Sequence, residues 1–353
     1  MPRKKKPKTV LVTGVSSQWG QWLAAKLSAQ PGLRLIGIDT APPPETIEGL
    51  DFVQADIRNP LLAEFLELEA VDTVCHLDFI ERYRRSEPVF EHNVIGTMKL
   101  LGACAQAGVR KVVFKSSTRV YGASPRNPAF LTEARPIRGA RRYGYNRDLV
   151  EIESFFNGFQ RQHPDMVLTI LRFPNIVGPR ANTPFTRFLS DPKAPVLLGF
   201  DPMMQVIHEE DVVRALLHAV RGDYPGAYNV AAEGILPLLK IMGIAGKIPI
   251  PLVHLLPYWA VNLGTPLSRH LPIEPDYLRY RWVADLQRMK EIMEFTPEYT
   301  AEEALREFAG ERRARRYMPE KSPLAYDEER LRDTIERRRR MRAASKRRAP
   351  QGA

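Results

Sequence analysis

The sequence predicts an α/β fold in which helices cover both faces of a doubly wound parallel sheet. Short apolar strands alternate with helical segments along the first half of the chain, a spacing typical of parallel sheets. The first such unit, residues 9–40, contains a strand, a turn with glycines, an amphipathic helix and a second strand. Ligands bind at the carboxyl ends of strands in such sheets. Gly14, Asp39, Leu77 and Ser117 lie at those ends.

The turn at residues 13–20 predicts a dinucleotide site. A helix N-terminus presents unpaired N–H groups and partial positive charge to a pyrophosphate. Gly14 and Gly20 permit a tight turn and close helix packing, and Asp39 follows at the distance of a ribose-binding carboxylate. Such a carboxylate repels a 2′-phosphate, so NAD is predicted rather than NADP. The candidate cofactor residues in this unit are Gly14, Ser16, Ser17, Gln18, Trp19, Gly20 and Asp39.

Ser17 stands where the middle glycine of this pattern is expected. Its side chain is therefore expected at the point of closest approach to the phosphate, where a hydroxyl could donate a hydrogen bond.

Further elements continue the alternation. They are a short strand at 52–53, a helix at 61–68, a strand at 71–77, a helix at 88–107, a strand at 111–114, a helix from 143 to 159 and a strand at 167–173. Asp56 and Ile57, between the strand at 52–53 and the helix at 61–68, have two interpretations. The pair could hold the adenine amine and cover its ring, or Asp56 could cap the helix at 61–68.

Composition excludes several classes of protein. The 353 residues are 44% hydrophobic, enough for one large or two modest domains with a sizeable core. Two cysteines, Cys75 and Cys104, indicate neither a disulfide framework nor a cysteine metal site, and no metal is predicted. The N-terminal segment before the first strand is too short for a signal-peptide core or a membrane span. A cytoplasmic location is expected.

The net charge of +11 is concentrated at the two ends. Residues 1–8 are rich in lysine and arginine, and residues 311–353 carry fifteen cations against seven acids, so the body between them is nearly neutral.

Several motifs occur together in one order along the chain. They are the turn at 13–20, Asp56-Ile57, His76-Leu77, residues 93–97 (NVIGT), 116–122 (SSTRVYG), 143–147 (YGYNR), 171–180 (LRFPNIVGPR), Ile207-His208 and Asp211-Val212. The chain resembles the extended short-chain dehydrogenases/reductases of the NAD-dependent epimerase/dehydratase family, above all the UDP-glucose 4-epimerase branch, over roughly residues 9–310.

This resemblance implies a domain plan. It comprises a basic arm (1–8), a Rossmann-type NAD-binding domain (9–174, with 205–230 returning to it), an interleaved substrate domain (175–204 and 231–310) and a basic tail (311–353) that is helical or disordered. It also implies a homodimer formed through the helices at 88–107 and 143–159.

The resemblance implies a catalytic set of Ser117, Tyr143, Arg147 and Asn93. It places Asp56, Ile57, Leu77, Asp78, Asn93, Tyr143, Arg147 and Pro174 at the cofactor and Ser117, Thr118 and Asn175 at the substrate. A tyrosine of ordinary pKa is a poor base at neutral pH, so a nearby cation must stabilise its phenolate. Ser117 would hydrogen-bond the substrate while hydride passes to or from NAD.

Besides Ser17, several positions depart from the family pattern. Arg147 replaces a lysine, and its flat, longer head cannot reproduce a compact ammonium, which predicts altered or slow hydride chemistry. Asp78 and Phe79 occupy positions of small residues beside the cofactor. Met204 and residues 273–276 stand where the epimerases place cations that grip the sugar-nucleotide diphosphate.

Residues 235–263 are unusually apolar, but prolines and lysines interrupt them, so they are not a transmembrane helix. One interpretation is a substrate-domain core or dimer contact. The other is a lipid-facing surface with an apolar substrate, because Tyr258 and Trp259 suit a membrane interface.

The basic tail also has alternatives: a solvated, frayed helix or disordered segment, or a segment that binds an anionic membrane surface at the inner face. Nucleic acid is not favoured as a partner because no aromatic residues interleave with the cations. The leading function is NAD-dependent oxidoreduction or epimerisation of a small, sugar-like substrate, such as a nucleotide-sugar. The alternatives are a membrane-peripheral NAD-binding protein with little or no catalysis, and a reductase of a lipid-like substrate.

Overall fold

A central sheet of seven parallel strands organises the protein. Its strands are β1 (Lys8–Thr13), β2 (Leu33–Asp39), β3 (Leu50–Gln54), β4 (Val71–His76), β5 (Lys111–Ser117), β6 (Val167–Phe173) and β11 (Gly226–Asn229). Their spatial order is β11-β6-β5-β4-β1-β2-β3. Strands β2 and β3 therefore lie on one side of β1 in the sheet, and strands β4, β5, β6 and β11 lie on its other side. The crevice where this order reverses lies between β1 and β4.

The computed structural model describes residues 8–82, 84–139, 144–253, 274–317, 331–332 and 334–338. Residues up to Phe308 belong to one compact unit and residues from Ala309 to a second. Tyr143, residues 254–263 of the apolar stretch and most of the basic tail lie outside the described residues. The finer division into cofactor and substrate domains stays a prediction.

Three two-stranded sheets flank the central one. They pair β7 (Asn175–Val177) with β10 (Val206–His208), β8 (Lys193–Leu197) with β13 (Ile248–Leu252), and β9 (Met203–Met204) with β12 (Leu236–Pro237). The helices of the described residues include α1 (Gln18–Ser28), α2 (Leu62–Leu68), α3 (Glu87–Phe90), α4 (Gly96–Gln106), α5 (Gly144–Gln162), α6 (Pro184–Phe188), α7 (Glu209–Arg221), α8 (Leu238–Ile244), α9 (Gln287–Glu291) and α10 (Ala301–Tyr317).

Helices cover both faces of the sheet, as predicted. Successive strand residues point to opposite faces, and two separate hydrophobic clusters result. Leu11 packs in the cluster that contains Leu100 of α4 and Phe156 of α5, whereas Val12 packs in the cluster with Leu23 of α1. The doubly wound α/β architecture is confirmed.

The predicted single helix at 88–107 is wrong in detail. The segment begins at Glu87, widens into a π-helical turn at Glu91–Ile95 and continues as α4. Such turns accommodate one extra residue and commonly occur at functional sites. Here the turn contains Asn93, whose side chain is fully buried.

The apolar stretch divides between core and surface in its described part. Leu238, Ile241 and Met242 of α8 are buried, whereas Ile248 and Ile250 of β13 are exposed. Among the described residues, none of the helices combines the length and apolar character needed to cross a bilayer.

Candidate functional site

The turn between β1 and α1 is built by glycines that backbone packing requires. Gly14 has φ of +68°, and a Cβ there would lie 2.6 Å from the backbone of Asp78. A Cβ on Gly20 would lie 2.1 Å from the Gly14 carbonyl oxygen. Side chains are therefore excluded at both positions, and the first turn of α1 stays close to the carboxyl end of β1.

Ser17 has a different role from the one expected. Its hydroxyl donates to the Gly14 carbonyl at 2.6 Å and accepts from the Gly20 N–H, so it caps α1. The side chain is therefore turned onto the backbone of the turn itself, and its expected contact with a phosphate stays a prediction. Serine is a favoured N-cap residue, which explains why the turn tolerates the loss of the middle glycine.

Asp39 ends β2 beside this turn. Its carboxylate accepts from the Ser16 N–H at 2.9 Å and from the Thr40 N–H at 2.7 Å. The oxygen bonded to the Thr40 N–H also accepts from the Thr40 hydroxyl at 3.4 Å, whereas the oxygen bonded to Ser16 retains a lone pair that can accept from a ribose hydroxyl. Together with the free N–H groups of a helix start, this arrangement fits a bound dinucleotide.

Gln18 and Trp19, in the first turn of α1, contact neighbouring elements. The Gln18 amide donates to the Arg180 carbonyl at 2.6 Å and accepts from the Asn182 N–H at 3.4 Å. The Trp19 ring packs edge-on against Trp22, and the Lys115 amino group lies 5.1 Å from a Trp19 ring centroid.

Asp56 forms an ion pair and does not cap a helix. Its carboxylate binds the Arg58 guanidinium at 2.6 Å, which lowers the Asp56 pKa to about 2. The side chain of Asn59 accepts from the Leu61 N–H at the start of α2, so the capping interpretation of Asp56 is wrong. Ile57 is buried against Gly96, where its side chain would meet any added Cβ at 2.9 Å.

Residues 76–78 end β4 and are held by their own side-chain contacts. The ring of His76 bridges Thr13 and Thr97, and burial lowers its pKa to about 4, so it is neutral at physiological pH. Leu77 is buried, and Asp78 pairs with His92 at 2.8 Å. That hydrogen bond raises the pKa of His92. The Asp78 carboxylate is thus occupied by a partner in the following helix.

Ser117 opens onto a pocket at the carboxyl ends of β5 and β6. Pro174 and Asn175, two of the predicted ligand contacts, line the same pocket, and the Asn175 amide donates to the Gln205 carbonyl. Thr118 is fully buried with an unpartnered hydroxyl and does not line the pocket. The pocket is also lined by Glu81, Lys115, Ser116, Arg119, Tyr145, Phe173, Ile176, Thr183, Pro184 and Phe185.

Tyr145 is the tyrosine that the structure describes next to Ser117. It lines the same pocket as Ser117, whose side chain lowers the pKa of the Tyr145 phenol, whereas burial, the larger effect, raises that pKa. Its ring packs edge-on against Phe79, and its N–H donates to the Arg82 carbonyl. Tyr143, the tyrosine predicted from the motif, lies outside the described residues, so its role stays a prediction.

Arg147 is held away from this pocket. Its guanidinium binds Glu87 at 3.0 Å and Asp148 at 3.1 Å, and it lies 4.3 Å from the Phe90 ring centroid. The structure therefore does not bring Arg147 together with Ser117, although the sequence pattern predicted one catalytic group.

Asn93 is committed to the protein interior. Its amide oxygen accepts from the Ile80 N–H, and its amide nitrogen donates to the Ile80 carbonyl and to Asp148. Asn93 thereby ties the segment after β4 to the start of α5, next to Arg147.

The pocket residues that sequence reasoning missed include Lys115, Arg119 and Tyr145. Lys115 lies between the Trp19 ring and the Glu81 carboxylate, the latter 3.6 Å from its amino group. A charged residue at the end of an apolar strand, directly before Ser116-Ser117, was the available signal. The motifs that contain Arg119 and Tyr145 were interpreted through Ser117 and Tyr143, so Arg119 and Tyr145 were not predicted as site residues.

The sequence model of the NAD dependent epimerase/dehydratase family matches residues 10–231. The chain belongs to this family. An uncharacterized protein of Mycobacterium tuberculosis is 35% identical over 314 residues, covering 86% of this chain and 83% of the relative. A UDP-glucose 4-epimerase of Neisseria gonorrhoeae is 30% identical over 185 residues, covering 48% of this chain and 54% of that enzyme.

Solved structures of NAD-dependent epimerases/dehydratases have the same fold. The UDP-glucose 4-epimerase of Thermotoga maritima with UDP-glucose superposes with a TM-score of 0.67 at 21% identity, covering 87% of this chain and 99% of the other. The UDP-glucuronic acid 4-epimerase of Bacillus cereus in complex with NAD gives 0.67 at 18% identity, with 87% and 99% covered. NAD is the cofactor of the family, and the β1–α1 turn and Asp39 fit it.

Two of the positions at which the sequence resemblance implies diphosphate-binding cations hold other residues in this structure. Met204 is 2% exposed and lies in β9, paired with Leu236 of β12, so this position supplies core packing. Glu274 is buried and accepts from the Asn146 amide at 2.6 Å. Ile273 lies outside the described residues.

The described residues contain no cluster of metal-ligating side chains. Cys75 and Cys104 are both buried and unpaired, and burial raises the pKa of both thiols, to about 12 for Cys104. Neither is therefore poised as a thiolate nucleophile.

Proposed function

We propose that this protein is an NAD-dependent oxidoreductase or epimerase of a sugar-like substrate, with nucleotide-sugars as the first class to test. The observation that carries the proposal is that two hydroxyl-bearing side chains, Ser117 and Tyr145, line one pocket at the carboxyl ends of β5 and β6. Family membership supports the same reaction class.

The hydroxyl pair suits proton transfer at a substrate hydroxyl or carbonyl. Ser117 can hold the substrate oxygen while a tyrosine accepts the proton as the C–O bond gains double-bond character. NAD, when bound, supplies the hydride acceptor. Because burial raises the pKa of Tyr145, its phenolate needs nearby positive charge, and Arg119 lowers that pKa by its Coulomb field.

Two tyrosines compete for the role of base. Tyr143 matches the family motif, and Tyr145 is the one placed next to Ser117. Lys115 and Arg119 are the cations among the described residues that line the pocket, and Arg147 does not line it. We therefore assign to Lys115 and Arg119 the charge-stabilising role that the motif gave to Arg147.

Turnover by matched variants tests the proposal. The full chain with NAD is incubated with UDP-glucose, UDP-glucuronate, UDP-N-acetylglucosamine and dTDP-glucose, and products are followed by nuclear magnetic resonance and by absorbance of reduced nicotinamide. Ser117→Ala is expected to lower turnover about 100-fold or more. Either Tyr143→Phe or Tyr145→Phe should cause a comparable loss of turnover, and the variant that does so identifies the base.

Tyr224→Phe is the control, because Tyr224 contacts His218 outside the pocket. Turnover that survives Ser117→Ala and both pocket-segment tyrosine variants would contradict the proposed mechanism.

A second candidate function is NAD binding without hydride transfer, at a membrane surface. Arg147, held by Glu87 and Asp148, favours it, because the usual cation beside the tyrosine is displaced. Tight NAD binding with no turnover of any panel member would support this candidate. The cytoplasmic location and homodimer remain proposals, which cell fractionation and sedimentation velocity would test.

A further inference from the structure

Arg119 is a buried cation without an ion-pair partner among the described residues. The residue is 7% exposed, and it follows Ser117 by two positions in the short helical turn after β5. Within the described part of the chain, its guanidinium has no ion-pair or hydrogen-bond partner among the side chains; its contacts are with aromatic rings. A charge removed from water without a counter-ion is costly unless a ligand supplies one.

Two aromatic rings hold the guanidinium in place. Its central carbon lies 5.1 Å from the Tyr277 ring centroid and 5.9 Å from that of Trp282, and both rings are buried. The Tyr277 hydroxyl donates to the Arg119 carbonyl at 2.9 Å, which fixes the backbone as well. The rings attract the cation but leave its charge unneutralised.

The other charges of the pocket do not provide a partner. Glu81 is an acidic residue in the pocket lining, and its carboxylate pairs with Lys115 at 3.6 Å. With one acid set against two cations, the described lining carries a surplus positive charge, which resides on Arg119. The donors of Arg119 are in a fixed fork, the geometry that binds carboxylate or phosphate through two parallel hydrogen bonds.

We propose that the ligand unit bound next to Ser117 carries an anionic group, a carboxylate or a phosphate, which pairs with Arg119. The inference rests on the proposed function, because Ser117 and Tyr145 then act on that same unit. It narrows the substrate class to acidic units such as uronic acids or phosphorylated sugars and disfavours neutral hexoses.

Binding measurements test this inference without requiring turnover. The NAD-loaded full chain is titrated calorimetrically with UDP-glucuronate, UDP-glucose, free D-glucuronate and inorganic phosphate. UDP-glucuronate should bind about tenfold tighter than UDP-glucose, or more, the effect of one charge-assisted contact. A preference for phosphate with no preference for the uronate would identify the anion as a phosphate.

Arg119→Gln should abolish the preference for whichever anion the wild-type protein selects and leave NAD affinity unchanged, whereas Arg119→Lys should retain part of the preference. Arg214→Gln is the matched control: Arg214 also lies over an aromatic ring, Phe295, but outside the pocket and paired with Asp211. Should Arg119→Gln fail to fold, Arg119→Lys and the wild-type ratio still decide the question.

Equal affinity for acidic and neutral probes, an absence of binding by all four probes, or a loss confined to NAD binding in Arg119→Gln would each overturn the inference. If the anion preference depends on Arg119 but none of the sugar-nucleotides is turned over, the anion site is supported and the proposed reaction is rejected.

Discussion

Asp39 joins the cofactor turn to the end of β2 through single side-chain contacts. Its carboxylate accepts from the Ser16 and Thr40 N–H groups, and the oxygen bonded to Ser16 keeps a lone pair for a ribose. At the scale of one residue, a single carboxylate therefore stabilises the turn and also offers an acceptor for the ribose of NAD.

Asp39→Ala is expected to weaken NAD binding by about tenfold to 100-fold, because hydrogen bonds to a charged group are each worth about 1.5–3 kcal/mol. It should also reduce the discrimination against NADP, since the repulsive charge is lost. Fluorescence titration with both cofactors measures this. Asp51→Ala on β3, whose carboxylate pairs with exposed Arg34, is the control. Unchanged NAD affinity in Asp39→Ala would remove Asp39 from the cofactor site.

Arg147 is expected to serve stability more than chemistry. Arg147→Ala should lower the free energy of unfolding by about 1–3 kcal/mol, because it leaves buried Asp148 without a cation and removes the Phe90 contact. Arg147→Lys should change turnover by less than about threefold, since residue 147 does not line the pocket. Urea unfolding and initial rates measure the two effects. A tenfold gain in rate for Arg147→Lys would instead assign the catalytic cation to this position.

At the scale of elements, a buried polar network joins β5, β6 and α5 beneath the pocket. The Ser116 hydroxyl donates to Glu153 at 2.5 Å, and Arg172 donates to the same carboxylate at 2.9 Å. Arg172 also donates to the Tyr121 hydroxyl at 2.7 Å, and the Glu153 field raises the pKa of Arg172 against its burial. Ser117 is adjacent to this network, which fixes the strand end that presents it.

Glu153→Gln is expected to lower the free energy of unfolding by about 3–5 kcal/mol, because a buried arginine loses its carboxylate. Chemical denaturation of the full chain measures the loss, and Glu64→Gln at an exposed position of α2 is the control. A loss below about 1 kcal/mol would indicate that other groups satisfy Arg172. Because Glu153 positions the strand end that presents Ser117, the NAD affinity of the folded variant should stay within about threefold of wild type.

At the scale of the whole molecule, the cations at the ends of the chain predict an electrostatic role for the tail. The described tail residues 331–332 and 334–338 are helical and exposed. Each lysine or arginine near an anionic bilayer contributes about 1 kcal/mol, and added salt weakens the attraction.

Truncation after Gly310 should therefore reduce binding to vesicles containing phosphatidylserine by at least about tenfold at physiological salt, with NAD binding retained. Vesicle co-sedimentation measures this, with neutral phosphatidylcholine vesicles and a single-stranded RNA as comparisons. Equal vesicle binding by the truncated and full chains would reject a membrane role for the tail. Binding of RNA alone would transfer the role to nucleic acid.

Local patterns in the sequence were sufficient to predict the fold and the position of the cofactor turn. The alternation of apolar strands with helices, the glycines at 14 and 20 and the carboxylate at 39 each constrain neighbouring backbone directly. For that reason the parallel sheet, the cofactor and the family all agree with what the residues predicted. Ser117 also lies where the pattern predicted, at the end of β5, and it lines the pocket, whereas its catalytic role stays a prediction.

The tertiary structure decided which side chains meet in the pocket. Arg147 and Ser117 belong to one sequence motif set, but Glu87, Asp148 and Phe90 offer Arg147 a better-paired environment elsewhere. Ser17 likewise turned back to cap α1, and Arg119 gained its position from rings more than 150 residues away in sequence. Rotamers and ion pairs depend on residues distant along the chain, so no local pattern carries that information.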